Sequence, residues 1–77
     1  MRLITFFTQA GAIRYEKQLR VLGGEAKLKP VPRQLSSSCG LCLETSFEAL
    51  DRIASDEIDS IYRVTSDGFE LEWKSEE

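Results

Sequence analysis

The stretch from Arg2 to Gly24 leaves this chain little choice of fold. "RLITFF" is an unbroken β-rich apolar run without a turn residue, the signature of a buried strand. Thr8 then stands where a helix cap is expected and opens "QAGAIRYEKQLRVLGG". There Ala12, Tyr15, Leu19 and Leu22 fall on one helical stripe, Glu16 and Arg20 are spaced to pair along the helix, and Gly23-Gly24 stops it. The stripe around Tyr15 reads as core rather than as a binding box.

The remaining elements repeat that logic. "EAKLKPVP" alternates Ala26, Leu28 and Pro30 against Lys27, Lys29 and Val31, a short strand with a basic face that prolines terminate. After the polar loop "RQLSSS", "CGLCLET" reads as a strand with Leu41 and Leu43 facing one way and Cys42 and Glu44 the other. "TSFE" matches a capping box, Thr45 with Glu48, and predicts a second, shorter helix with Phe47, Leu50, Ile53 and Ala54 on its apolar stripe. "SIYRVT", a turn at Asp67-Gly68 and "FELEWK" predict a hairpin in which Phe69, Leu71 and Trp73 alternate with Glu70, Glu72 and Lys74.

With 77 residues the chain is a single domain over 1–77, and a fold of this size buries only about 60% of the surface its unfolded chain exposes. Nearly every apolar side chain must therefore serve the core. The expected fold is a small α/β (α+β) two-layer sandwich. It has a four- to five-stranded mixed sheet with two helices on one face, in a ferredoxin-like or split βαβ topology.

Charge is distributed unevenly. Residues 1–44 carry seven Lys or Arg against three Glu, while residues 45–77 carry three against ten Asp or Glu. The chain is acidic as a whole and has no basic run interleaved with aromatics, so nucleic acid is not an expected partner. No apolar run approaches the roughly 20 residues of a membrane span, and "LITFF" is too short for the core of a secretory leader. The expectation is a cytoplasmic protein.

In that compartment the two cysteines, Cys39 and Cys42, point to reactive or metal-binding thiols rather than to a disulfide framework. Zinc needs four ligands, but the chain has no His and no second CxxC, so no metal or other cofactor is expected. A thiol-disulfide pair suits the Cys39/Cys42 spacing, with Cys42 as the resolving thiol, but that chemistry places the motif at a helix start. The strand reading after Cys39 opposes it. A third reading makes Cys39 alone the working sulfur. Ser36, Ser37, Ser38 and Gly40 offer backbone N–H groups and hydroxyls to an anion, Arg33 adds a fixed charge, and Lys27 and Lys29 lie along the strand. Cys42 is then a small buried hydrophobe. Against all three stands a polar loop with an incidental thiol.

The succession of an aromatic strand, "FFTQAGAIRYEKQLR" and "LKPVPRQLSSSCGL" resembles the selenium/sulfur (Se/S) carrier protein-like family, over roughly residues 3 to 50. Its specific part runs from Pro30 to Leu41, and Thr8 and Glu16 also fit the pattern. The resemblance implies a cysteine, Cys39, that accepts sulfur or selenium from a desulfurase-type donor and passes it to an acceptor protein or a selenium-using enzyme. That is a carrier rather than a turnover enzyme. The Cys-Pro-x-Pro of better-known sulfur relay proteins is absent, and Cys42 is additional to the family motif. The other functional classes to weigh are the thiol-disulfide oxidoreductase and a non-catalytic partner-binding module. The exposed Phe69-Leu71-Trp73 edge offers a surface through which two copies could pair as a homodimer, and the sequence leaves the oligomeric state open.

Overall fold

The computed structural model describes residues 1–35, 40–46 and 56–75. Its elements are β1 (Arg2–Phe6), α1 (Gln9–Val21), β2 (Lys27–Pro30), β3 (Leu41–Thr45), β4 (Ile58–Thr65) and β5 (Gly68–Lys74). The strands form one five-stranded sheet in the order β2-β3-β1-β4-β5, and every neighbouring pair is antiparallel. The expectation of a mixed sheet is therefore corrected. The α1 crossover does make β1 and β2 run the same way, but β3 is inserted between them and antiparallel to both, leaving no parallel neighbours. This is a split β-α-β unit. The second helix, with Phe47, Glu48, Leu50, Ile53 and Ala54, falls outside the described residues, and the ferredoxin-like arrangement that needs it falls outside with it.

Helix α1 starts and stops where local chemistry dictates. The Thr8 hydroxyl accepts from the Gly11 N–H at 3.0 Å, a cap worth about 1 kcal/mol. At the other end Gly23 takes φ 84, its N–H donates to the Arg20 carbonyl and that of Gly24 to the Leu19 carbonyl, closing the last turn. Ala12, Tyr15 and Leu19 are buried as the stripe requires, and Arg20 lies 3.7 Å from Glu16. Leu22 does not join them. It is the C-cap, already turning away, and is 41% exposed.

The stripe packs on Ile4, Phe6, Leu43 and Ile58, with Ala26, Leu28, Leu41 and Ile61 at the margin. Phe6 and Tyr15 meet tilted, ring centroids 5.5 Å apart, a favourable edge-to-face type of contact. Strand β1 is buried on both faces: Ile4 and Phe6 point toward α1, and Leu3 and Thr5 are equally inaccessible on the other side. The continuous apolar run "LITFF" is the sequence trace of that central position.

The hairpin forms, with two corrections. Its turn residues are Ser66 and Asp67, both at negative φ, and the positive φ falls on Gly68, the first residue of β5. Further along, Leu71 pairs with Tyr62 but Trp73 pairs with Ile61, so Glu72 is an extra residue in a bulge. Because Tyr62 and Ile61 are adjacent in β4, Leu71 and Trp73 lie on opposite faces rather than on one. Arg63 and Arg2 hold Glu70 and Glu72 in ion pairs. Thr45 ends β3, its hydroxyl donating to the Glu25 carbonyl. No helix among the described residues is long and apolar enough to cross a membrane.

Candidate functional site at the neck of the 31–40 loop

Strands β2 and β3 pair in the register Lys27 with Glu44, Leu28 with Leu43, Lys29 with Cys42 and Pro30 with Leu41. Beyond the last pair, the Val31 N–H donates to the Gly40 carbonyl at 3.1 Å and closes the base of the loop. In Pro30-Val31-Pro32 only Val31 has an N–H to give, so this neck depends on one donor. Within the loop the Leu35 N–H donates to the Pro32 carbonyl at 3.0 Å, a turn that leaves Arg33 and Gln34 exposed at its tip. Ser36, Ser37, Ser38 and Cys39 lie outside the described residues.

Gly40 is exposed and adopts φ 70, and a Cβ built on it would meet no heavy atom within 4 Å. Only glycine takes this left-handed conformation without penalty, so the chain changes direction there through backbone freedom rather than steric pressure. Its N–H has no hydrogen-bond acceptor among the described residues.

The charges near the loop sort themselves by partner. Arg2, Arg14, Arg20 and Arg63 each face a carboxylate, whereas Arg33 has none among the described residues. Lys29, expected to add positive charge beside the loop, instead has its Nζ 3.0 Å from Glu44 Oε2. Lys27 begins β2, about 10 Å of strand away from the neck. Among the described residues, Arg33 is thus the basic side chain beside the neck that has no carboxylate partner.

Cys42 has a different environment. It is fully inaccessible, sits in the ladder between Lys29 and Thr5, and points its Sγ toward the Pro30 carbonyl at 3.6 Å. Leu41 and Leu43 face α1, so Cys42 occupies the opposite face, as the alternation of "LCLE" requires.

Because Thr5 pairs with Cys42, the loop neck lies at the same end of the sheet as Thr8 and the amino terminus of α1. The amino terminus of α1 carries the positive end of the helix dipole. Glu57 partly offsets it: its carboxylate pairs with Arg14, its carbonyl accepts from the Phe7 N–H, and its side chain packs on Gly11. This contact was not anticipated from the sequence. Its one visible signal is a glycine inside an otherwise good helix that carries no acidic residue in its first turn.

A family model described as "Putative Se/S carrier protein-like" matches residues 1–62, beyond the span of the motifs quoted above. No curated protein and no solved structure matches the chain.

Proposed function

The chain belongs to the Se/S carrier protein-like family, and from that premise we propose that it carries sulfur or selenium on Cys39, as a persulfide or selenopersulfide. The observation that carries this reading is the burial of Cys42. Cys42 is committed to the sheet interior, and a resolving thiol would have to leave it. Cys39 is the residue before the exposed Gly40, and Arg33 has no carboxylate partner among the described residues.

In the proposed transfer the Cys39 thiolate attacks the outer sulfur of a persulfide on a desulfurase-type donor. The new S–S bond forms on Cys39, the donor's S–S bond breaks, and the donor cysteine leaves as a thiolate. One sulfur–sulfur bond replaces another, so no external oxidant or reductant is needed. Arg33 and the Ser36–Gly40 segment stabilise the anion, and an acceptor protein or selenium-using enzyme takes the terminal atom.

The test is intact mass measurement of the reduced protein after incubation with a cysteine desulfurase and cysteine. The expected result is a gain of sulfur that Cys39→Ser abolishes and Cys42→Ser largely retains. Loss of two hydrogens requiring both cysteines would replace this reading with a thiol-disulfide oxidoreductase. No mass change would leave a partner-binding module.

A further inference from the structure

We propose that the cleft at the end of the sheet where β2 begins and β3 ends binds a free α-amino acid with an apolar side chain, at a site separate from the loop neck. The cleft has a volume of about 350 Å³, within the range of small-molecule sites, and its lining includes Met1, Glu25, Ala26, Lys27, Glu44 and Thr45. Lys27 and Glu44 form the first pair of the β2–β3 ladder and Pro30 and Leu41 the last, so the cleft and the neck occupy opposite ends of the two strands.

The charges around the cleft select the ligand. Lys27 stands across the ladder from Glu44, but that carboxylate is already engaged by Lys29 at 3.0 Å. Among the described residues Lys27 has no carboxylate within ion-pair distance, and Glu25 has no cation. One unanswered positive charge and one unanswered negative charge, with only Ala26 between them in the chain, therefore line the same cleft. A simple anion would meet Glu25 and a simple cation would meet Lys27, whereas a zwitterion satisfies both. An α-amino acid carries its ammonium and carboxylate on one carbon, which leaves its side chain to the apolar surface of Met1 and Ala26.

The backbone that bears the two charges is fixed in advance. The Thr45 hydroxyl donates to the Glu25 carbonyl, and the Arg20 guanidinium donates to the Ala26 carbonyl at 3.2 Å. Anchors from β3 and α1 thus hold the segment, so a ligand does not have to order it. Glu25 and Lys27 are themselves exposed, which sets the expected affinity in the millimolar range.

The experiment is an NMR titration of the backbone amides of the full chain with three probes: L-leucine, leucinamide, which lacks the carboxylate, and isocaproate, which lacks the ammonium. L-leucine is expected to shift the amides of residues 25–27 and 44–46 saturably, and each analogue to bind about tenfold more weakly for want of one charge-assisted hydrogen bond. Lys27→Met is expected to weaken leucine about tenfold and leave leucinamide unchanged; Glu25→Gln is expected to weaken leucine equally and leave isocaproate unchanged. Both substitutions fall on exposed side chains, and the same amide spectra report whether each variant keeps its fold. Absence of saturable shifts at these residues, equal binding of the three probes, or wild-type leucine affinity in either variant would overturn the proposal. The site uses no residue of the loop, so its failure leaves the carrier reading standing.

Discussion

Lys29 stands directly across the β2–β3 ladder from Cys42 and extends its ammonium to Glu44, 3.0 Å away, on the face of the sheet that Cys42 shares. The pair is partly exposed, whereas Cys42 beside it is fully inaccessible. The pair also removes from the loop a charge that the spacing of "KLKP" had promised to it.

A sealed Cys42 should react only when the sheet opens. In the native protein iodoacetamide is expected to modify Cys39 and spare Cys42, with Cys42 labelling appearing in step with denaturant unfolding. Peptide mapping of the alkylated protein checks this. Comparable labelling of both thiols without denaturant would contradict the interior placement.

Arg33 and Lys29 should separate by phenotype. Arg33→Ala is expected to slow sulfur gain by Cys39 about three- to tenfold, and Arg33→Lys should restore only part because the planar fork is lost. Lys29→Ala should leave the rate intact and cost at most about 1 kcal/mol of stability, since its pair is half-exposed. Single-turnover loading and urea denaturation give the two readouts.

Gly11 is buried against Glu57: a Cβ on it would lie 2.7 Å from Glu57 Cβ and 2.9 Å from Glu57 Cδ. Glycine-to-alanine in a helix ordinarily adds about 1 kcal/mol. Here the overlap reverses the sign, and Gly11→Ala is expected to destabilise by about 1–3 kcal/mol as α1 and Glu57 are pushed apart. A urea midpoint at or above wild type would show that Glu57 yields freely.

Burial raises the Tyr15 phenol from 10.0 to about 12. The folded value lies above the unfolded one, so this contribution is complete below pH 10. It is lost as pH rises from 10 toward 12, because the unfolded chain ionises first. Thermal melts should fall steeply over that interval in the wild type and less so in Tyr15→Phe, whose melts at neutral pH supply the reference. Parallel decline in both would assign the alkaline loss to other groups.

Much of the fold was legible because short-range rules govern it. The Thr8 cap, the Gly23-Gly24 stop, the Ala12-Tyr15-Leu19 stripe and the alternation of Leu41, Cys42 and Leu43 all depend on residues within one or two turns of one another. The misread features depend on pairing. The bulge at Glu72 exists only in the register of β5 against β4, and it moves Trp73 to the face opposite Leu71. Lys29 looked free because its partner Glu44 lies fifteen residues away and meets it only across a ladder.

The same division runs through the candidate site. Sequence alone determined the pieces of chemistry: a thiol at 39 behind three serines, a single arginine, prolines that can close a loop with only one donor, and a glycine able to turn out of a strand. Tertiary structure decided which of them remain available. Insertion of β3 between β2 and β1 placed Cys42 in a central strand and brought Glu44 to Lys29, while Arg33 has no carboxylate partner among the described residues. Residue types fix what a group can do, but burial and cross-strand partners are set by contacts between distant segments, which no local pattern encodes.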